Sequence, residues 1–433
     1  MRMCSRDPFT GGGGDDKRTS HMTVEIESPL CVSISRELQL LVLSSRTNPD
    51  REMIGVMEGH ERGEFDWERV LDLALYHRVF SLLHWNLKRL LPDLVPEEPA
   101  SRLAAAFQSN QHKIMGLTAE LVRISERLDE KKIPSVALKG PVLGAMAYGN
   151  FGLRPAGDLD LLVKPEHVSP AIETLRKCGY RLCAPKSNEE LNVRQEQFVD
   201  RFHYHHLLIH EEYGYSIELH FRLFATKMLG FGPGAVEAID RRSEHTIAGR
   251  KVGVLNETDN LIYLCVHGGK HAWARLEWIA SAAELLGRVE DSNEVTLWDG
   301  AKARGAETAL LLGVALAGKL FDLRALPELR KRASESPLVA KLAKRVITCL
   351  DDLKGAESFR ASERHFQWRL CDGFRMRARW ILFEYFLPHG AEFRRAQSGS
   401  RFPVLVSFWW VYRGLVRRFA KWVRDRFRKK NPD

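Results

Sequence analysis

Gly157-Asp158-Leu159-Asp160-Leu161-Leu162-Val163 is the most informative segment of this chain. The apolar run predicts a buried strand over Leu159–Val163. Successive strand side chains point to opposite faces, so Asp158 and Asp160 project to one side while Leu159 enters the core. Two carboxylates about 7 Å apart on one strand face repel each other, and a divalent cation relieves that repulsion. A solvated strand end is the alternative interpretation.

A third carboxylate follows in a second strand pattern, Ser216-Ile217-Glu218-Leu219-His220. Apolar and polar residues alternate there, so Glu218 lies on the polar face. Three carboxylates from neighbouring strands are typical of two-metal sites for in-line displacement. Mg²⁺ is the ion that such oxygen ligands favour, because it prefers hard oxygen donors and keeps substrate phosphates in its shell. The two segments together predict a two-metal site suited to in-line displacement.

The residues around these segments predict a mixed α/β block at about 131–256. The predicted strands are Ile133–Leu138, Leu159–Val163, His203–His210, Tyr215–Phe221 and Lys251–Leu255, and the predicted helices are 141–148 and Pro165–Cys178. Such a block is small, so we expect helical segments to pack around it and to form one wall of its cleft.

Helical patterns dominate the flanks of this block. They extend from about 35 to 130, with Phe65–Leu91 and 101–130 separated by the prolines at 92, 96 and 99, and again from 258 to about 352. We therefore predict an α+β fold with a mixed sheet between N- and C-terminal helical regions. The predicted division is 1–22, 23–130, 131–256, 257–352 and 353–433, in which 1–22 is an expression-vector leader and Met22 the native start.

Composition narrows the class of protein. The 433 residues carry a net charge of +9, but Arg401–Asp433 alone holds ten Lys and Arg against two Asp. The basic character therefore belongs to one tail, and we do not expect a nucleic-acid partner.

The seven cysteines are scattered and form no C-x-x-C pair, which favours a reducing cytoplasm over a disulfide scaffold. No run of about 18 apolar residues predicts a membrane span.

The tail at 401–433 has two interpretations. Aromatic residues such as Trp409 and Trp410 precede a basic face containing Arg417 and Arg418. This pattern is typical of an amphipathic helix at a membrane surface, which would make the protein a peripheral membrane protein. A helix that docks on its own core with a solvated basic side gives the same pattern.

The ordered motifs resemble the nucleotidyltransferase superfamily whose best-known member is DNA polymerase beta. They are most similar to a bacterial family of uncharacterised nucleotidyltransferases with the signature LKG…YG…R…DLDLLV…GY…ELH. In this chain the signature is Leu138-Lys139-Gly140, Tyr148-Gly149, Arg154, Asp158 to Val163, Gly179-Tyr180 and Glu218-Leu219-His220. The resemblance covers about 131–290 and implies a small polymerase-beta-like core. The helical stretch from Val266 to Trp278 also resembles that family.

The resemblance implies a role for each matching residue. Asp158 and Asp160 would bind Mg²⁺, with Mn²⁺ as the alternative, and bridge the triphosphate of an NTP, ATP being the expected one. Glu218 would bind the second metal and favour deprotonation of the acceptor hydroxyl. Lys139 and Gly140, at the place of a Gly-Ser pair in other members, would hold phosphate oxygens. Ser281 stands where an acidic residue is expected.

Other residues are candidates with open alternatives. Arg154 contacts phosphate or braces Asp158 through an ion pair. Lys270 lies on one helix face with His267 and His271 and is a candidate for nucleotide or acceptor contact, as is His220.

The histidines of the strand region suggest a second kind of metal site. They are His203, His205, His206, His210 and His220. Zinc needs convergent ligands and an ordered second shell, which spacing alone does not predict. We therefore expect His206 or His220 to line the acceptor cleft or to pack near the carboxylates.

The predicted reaction is transfer of a nucleoside monophosphate from an NTP to an acceptor hydroxyl or phosphate, with release of pyrophosphate. The expected acceptors are a small molecule, a sugar or a peptide natural product. Phosphoryl transfer from the same site is one alternative. A degenerate protein that binds a nucleotide or a partner without turnover is the other.

Overall fold

The computed structural model describes residues 34–49, 65–184, 189–224, 234–353 and 363–386, together with Tyr412. The described residues form an α+β fold, as predicted, in which one mixed sheet is accompanied by helices. Residues 1–22, and the tail 401–433 apart from Tyr412, lie outside the described residues, so the leader and the membrane-surface helix stay predictions.

The sheet has seven strands. They are β1 Ser135–Ala137, β2 Leu159–Val163, β3 Tyr180–Cys183, β4 His205–His210, β5 Ser216–His220, β6 Ser243–Ile247 and β7 Arg250–Val254. Their order across the sheet is β3-β4-β5-β2-β1-β7-β6. The β2–β5 and β1–β7 pairs are parallel and the other neighbouring pairs are antiparallel, which makes the sheet mixed.

The helices come before, between and after the strands. In chain order they are α1 Arg36–Ser44, α2 Trp67–Tyr76, α3 Phe80–Leu90, α4 Glu97–Glu130, α5 Gly140–Tyr148, α6 Val168–Lys177, α7 Val193–Phe202, α8 Ala235–Asp240, α9 Glu257–Lys270, α10 Leu276–Leu286, α11 Glu294–Lys302, α12 Glu307–Phe321, α13 Pro327–Glu335, α14 Pro337–Leu350, α15 Glu363–Arg369 and α16 Gly373–Phe386.

The centre of the sheet is its most apolar part. Leu159 and Leu161 of β2 and Ile217 and Leu219 of β5 are buried in a single core cluster. Because side chains alternate along each strand, this burial turns Asp160 and Glu218 to the opposite face. The core therefore fixes the direction of the carboxylates.

The sequence predicted the central strands better than the edge strands. The β2 bounds are those predicted, and β1, β4, β5 and β7 lie within one to three residues of their predictions. The strands β3 and β6 were not predicted. The edge strand β6 is largely exposed, so it has no apolar run that indicates a strand.

The predicted helical segment Phe65–Leu91 is two helices. The chain breaks between α2 and α3, where Arg78 adopts a left-handed backbone with φ of 58°. Pro99, expected in the gap before the next helix, instead lies inside the first turn of α4. A proline is tolerated there because the first-turn N–H groups have no helical acceptor.

His77, at the end of α2, is buried and joins three helices. Its Nε2 lies 2.8 Å from the carbonyl oxygen of Leu350, and its Nδ1 lies 3.3 Å from the amide nitrogen of Leu276. A neutral ring protonated on Nε2 satisfies both contacts, since Nε2 then donates and Nδ1 accepts. Burial, together with nearby Arg275, lowers the pKa of His77 from 6.5 to about 4 despite its carbonyl partner.

This histidine predicts a loss of stability in mild acid. The folded pKa lies below the ordinary value, so the unfolded chain binds more protons between pH 6.5 and pH 4, and the stability contributed by the neutral ring falls as the pH is lowered through that window. Between pH 7 and pH 5 the loss is about 2 kcal/mol. Urea unfolding should show a loss between pH 7 and pH 5 that is about 2 kcal/mol smaller in His77→Gln than in the wild type and in the exposed-site control His112→Gln. An equal pH slope in His77→Gln would contradict the assignment.

The predictions on cysteines and on membrane spans can be compared with the described residues. The cysteines at 178, 183, 265, 349 and 371 are free thiols, and they are the cysteines within the described residues. In that same part of the chain, no helix combines the length and the apolarity that crossing a membrane requires.

Candidate active site

Asp160 and Glu218 are direct neighbours across two parallel strands. In the β2–β5 pair, Asp160 is opposite Glu218 and Leu162 is opposite His220. Asp158 comes immediately before β2 and lies on the Asp160 face by alternation. The three predicted carboxylates therefore lie on one face at the centre of the sheet.

The Lys139-Gly140 segment borders this carboxylate group. The amide of Leu138 donates to the Asp160 carbonyl at 3.0 Å, which ties the end of β1 to β2. Gly140 begins α5 with φ of 65°, and a Cβ at this position would lie 3.2 Å from the Asp158 carbonyl oxygen. Both facts favour glycine, because an L side chain rarely adopts this backbone and has little space here. The N-terminus of α5 thus lies beside Asp158.

Lys139 is the cation closest to the carboxylates. Its Nζ lies 3.0 Å from Asp160 Oδ1, and both side chains are mostly buried. Burial disfavours the charged forms, but the contact with Asp160 raises the pKa of Lys139 well above its ordinary value. Lys139 and His220 likewise outweigh burial at Asp160 and lower the pKa of that carboxyl strongly. The two groups are a buried ion pair.

The remaining carboxylates show that the group carries excess negative charge. Burial, with repulsion from Asp160 and Glu218, raises the pKa of Asp158 to about 6. At Glu218 burial is outweighed by His220 and His205, and the pKa falls to about 2. Asp160 and Glu218 are in close contact with a lysine or a histidine. At Asp158, burial and repulsion outweigh the attraction of nearby cations. A bound divalent cation would remove this repulsion, so the donor set fits Mg²⁺ or a similar ion.

Two histidines adjoin Glu218. His220 Nε2 lies 3.1 Å from Asp160 Oδ1 and 3.4 Å from Glu218 Oε2, and His205 Nε2 lies 3.8 Å from Glu218 Oε1. Burial lowers the pKa of His205 to about 3, although Glu218 opposes this. At His220 the two carboxylates outweigh burial and raise the pKa. His220 was a candidate for nucleotide or acceptor contact or for packing near the carboxylates, and it is buried among the carboxylates.

Lys270 reaches the same region from α9. Its Nζ lies 3.0 Å from the Tyr204 hydroxyl oxygen and 4.8 Å from the centre of that ring. The Tyr204 ring packs against His205, with ring centres 4.3 Å apart. His267, one turn earlier on α9, is in ring contact with His271, and burial lowers its pKa well below 6.5. Lys270 therefore lies at the Glu218 side of the carboxylate group.

Arg154 has a different partner from the one considered in the sequence. Its Nη2 lies 3.8 Å from Glu277 Oε1, and both side chains are buried. The half-exposed Arg78 lies 3.7 Å from the same carboxylate oxygen. Arg78 also approaches the Asp158 side, since its Nη2 is 3.9 Å from a Cβ built at Gly157. Glu277 thus pairs with two guanidinium groups, and that of Arg78 lies near the first aspartate.

Two other expectations have definite outcomes. Ser281 is buried and its Oγ lies 3.1 Å from the Tyr148 hydroxyl, so it joins α10 to α5 rather than facing the carboxylates. His206 was considered for the acceptor cleft. It lies on the opposite face of β4 from His205, where its Nε2 pairs with Asp200 at 2.7 Å.

The sequence did not identify three residues near the carboxylates as site residues: His205, Tyr204 and Arg78. Tyr204 comes directly before β4 and His205 begins it. The pairing of β4 with β5 places His205 opposite His220. Arg78 lies about 80 residues before Asp158 in the chain, at the break between α2 and α3. Strand register could have indicated His205, but no local pattern indicates Arg78.

Comparison with known proteins adds one finding. Residues 63–322, more than half of the chain, match a family described as uncharacterised nucleotidyltransferase. No curated protein is significantly similar to the chain. The matched range includes the three carboxylates, Lys139, Arg154, Glu277 and Lys270.

Proposed function

The chain belongs to this nucleotidyltransferase family, and from that premise we propose that it transfers a nucleoside monophosphate from an NTP to an acceptor in a Mg²⁺-dependent reaction. The observation that carries the proposal is the convergence of Asp158, Asp160 and Glu218 on one sheet face. Lys139 and the N-terminus of α5 border the same face. Carboxylates for metal ions and cationic groups for phosphates are what such a transfer requires.

The carboxylates are the proposed metal ligands. Asp158 and Asp160 would hold the ion that also contacts the triphosphate, and Glu218 would hold a second ion with Asp160. When bound, Mg²⁺ or Mn²⁺ would offset charge on the transferring phosphate and make the acceptor oxygen easier to deprotonate. The raised pKa of Asp158 agrees with this assignment, because burial and repulsion from Asp160 and Glu218 together outweigh the attraction of Lys139 and Arg78 there.

The proposed step is an in-line displacement at the α-phosphorus. The acceptor oxygen forms a bond to this phosphorus, and the bond from the α-phosphorus to the oxygen bridging to the β-phosphate breaks. Pyrophosphate leaves with that electron pair, and the acceptor proton passes to Glu218 or to solvent. The protein contributes mainly orientation and electrostatic stabilisation in such a reaction.

The cationic groups have proposed roles on the triphosphate. The Lys139 ammonium would leave Asp160 and contact a phosphate oxygen instead. The backbone at Gly140, which has no side chain, would permit close approach of that phosphate. Arg154, held by Glu277, would position the Asp158 side rather than contact phosphate. Lys270 would contact nucleotide or acceptor through its exposed side, next to Tyr204.

We propose ATP as the triphosphate and a hydroxyl or phosphate of a small molecule, a sugar or a peptide natural product as the acceptor. The basic residues concentrate in the tail and leave the remainder of the chain near neutral, so we propose no nucleic-acid partner. Peripheral contact of 401–433 with a membrane remains a proposal as well.

Isotope-labelled ATP tests the reaction. The full chain with MgCl₂ and a panel of alcohols, sugars and peptides should move label from the α-phosphate to an acceptor and release pyrophosphate. Calorimetry with MgCl₂ and α,β-methylene-ATP, which cannot be cleaved at that bond, should show binding that chelation abolishes. Absence of metal-dependent nucleotide binding would overturn the proposal.

The other outcomes separate the two alternatives. Transfer of label only from the γ-phosphate would replace nucleotidyl transfer by phosphoryl transfer. Binding without transfer from either position would favour a protein that uses the nucleotide as a ligand. The intact set of three carboxylates supports catalysis, because a protein that has lost turnover has no need of all three.

A further inference from the structure

His205, Glu218 and His220 form a cluster with the composition of a transition-metal site. Their ligand atoms all lie within 4.8 Å of one another, which is close enough for one ion to contact all three. Two imidazoles and one carboxylate are the ligand set of many zinc centres with an open position, whereas Mg²⁺ prefers oxygen ligands alone.

The spacing of the donor atoms fits one small cation. Ligands of a tetrahedral Zn²⁺ ion lie about 2.1 Å from the metal and therefore about 3.4 Å from each other. His220 Nε2 is 3.4 Å from Glu218 Oε2, and His205 Nε2 is 3.8 Å from Glu218 Oε1. Both imidazoles thus present the same ring nitrogen to the same carboxylate, at close to the required separation.

The sheet holds these side chains in place. His205 is the pairing partner of His220 in the antiparallel β4–β5 ladder, and Glu218 is two residues from His220 on the same strand. Cross-strand partners on one face have Cβ atoms about 5 Å apart, so the backbone alone brings the three together. A site built on paired strands is more rigid than one built on loops.

Both rings are largely buried, and both turn Nε2 toward the carboxylate oxygens of Glu218. The side chain of His220 is 3% exposed and that of His205 is 14% exposed. Both Nδ1 atoms are buried without a hydrogen-bond partner in the part of the chain that the structure describes. An ion bound at Nε2 would leave the ring proton on Nδ1. Glu218, at 28% exposure, leaves one side of the cluster accessible to solvent.

We propose that His205, Glu218 and His220 bind a divalent transition-metal ion at the second metal position, while Asp158 and Asp160 serve the Mg²⁺ ion of the nucleotide. The inference rests on the proposed function for the role of Glu218 and adds the identity of the ion there. It makes His205 a ligand and moves His220 from nucleotide contact to metal ligation.

Metal binding to the full chain without nucleotide tests this assignment. After chelation and buffer exchange, calorimetry with ZnCl₂ should show a site that MgCl₂ at equal concentration does not fill. His205→Gln and His220→Gln should each weaken Zn²⁺ binding at least about 100-fold, because loss of a direct ligand exceeds the usual effect of its supporting residues. His206→Gln is the matched control, since His206 is the next residue of the same strand but faces away.

X-ray absorption of the Zn²⁺-loaded chain gives a second readout. The wild type should show imidazole scattering from two histidines, and each Gln variant should lose one. Circular dichroism verifies that the variants fold. Zn²⁺ affinity that is equal in wild type, His205→Gln and His220→Gln would overturn the inference.

Nucleotide binding distinguishes this failure from that of the proposed function. Mg²⁺-dependent binding of α,β-methylene-ATP with no Zn²⁺ site would overturn the transition-metal assignment alone. A Zn²⁺ site in a chain that binds no nucleotide would overturn nucleotidyl transfer and leave the metal site standing.

Discussion

Asp160→Asn is expected to abolish Mg²⁺-dependent nucleotide binding and to lower nucleotidyl transfer at least about 10³-fold. Asparagine keeps the size of the side chain but removes the negative charge nearest Lys139, His220 and Glu218. A proposed metal ligand that loses its charge can no longer offset the cation, and the phosphate loses its position. Calorimetry with α,β-methylene-ATP and release of pyrophosphate from ATP measure the two effects.

A second aspartate variant separates catalysis from folding. Asp160→Asn also leaves the buried Lys139 without its partner, so we expect a lower melting temperature. Asp158→Asn should lose transfer similarly but raise the melting temperature in chelator, because the charge of Asp158 is opposed by burial and by its two neighbours. Asp240→Asn, in an exposed pair with Lys164, is the control. Transfer that survives in either site variant would contradict the metal assignment.

The opposite stability changes follow from how the three carboxylates are partnered. The pKa of Asp160 is lowered by Lys139 and His220, whereas that of Asp158 is raised to about 6 by burial and like charges. Functional sites often retain such unfavourable groups because binding of the substrate or metal relieves them. The sequence alone made the two aspartates equivalent.

Local patterns were sufficient for the centre of the fold. The apolar run of β2 and the alternation of β5 predicted both strands and the faces of their carboxylates. Apolar burial determines these features, and it acts on neighbouring residues in the sequence. The edge strand β6 has little burial, so its pattern is weak.

Pairing between distant segments was harder to predict. Alternation along the strand separates His205 from His206, but only the register of β4 with β5 places His205 opposite His220. Arg154 was considered as a partner of Asp158, whereas its buried carboxylate partner is Glu277, more than 100 residues away. Periodicity gives the face of a residue on its own element and not the element that packs there.

Replacement of Lys139 by methionine is the second large effect that we expect, and its two consequences have opposite signs. Lys139→Met should lower transfer about 10²–10³-fold, since a preorganised charge on the phosphate is lost. The same variant should bind Mn²⁺ more tightly in the absence of nucleotide, because the ammonium no longer competes for Asp160 at 3.0 Å. Electron paramagnetic resonance of free Mn²⁺ measures that affinity.

A matched control for this variant lies just after β2, the strand that carries Asp160. Lys164 follows β2 and pairs with Asp240 at 2.5 Å, with a similar exposed fraction of its side chain to that of Lys139. Lys164→Met removes the same charge from a lysine–aspartate pair outside the carboxylate group, so both Mn²⁺ affinity and transfer should stay at wild-type values. If Lys139→Met instead weakened Mn²⁺ binding, the lysine would be supporting Asp160 rather than competing for it. The ammonium then could not be the group that moves from carboxylate to phosphate when the nucleotide arrives.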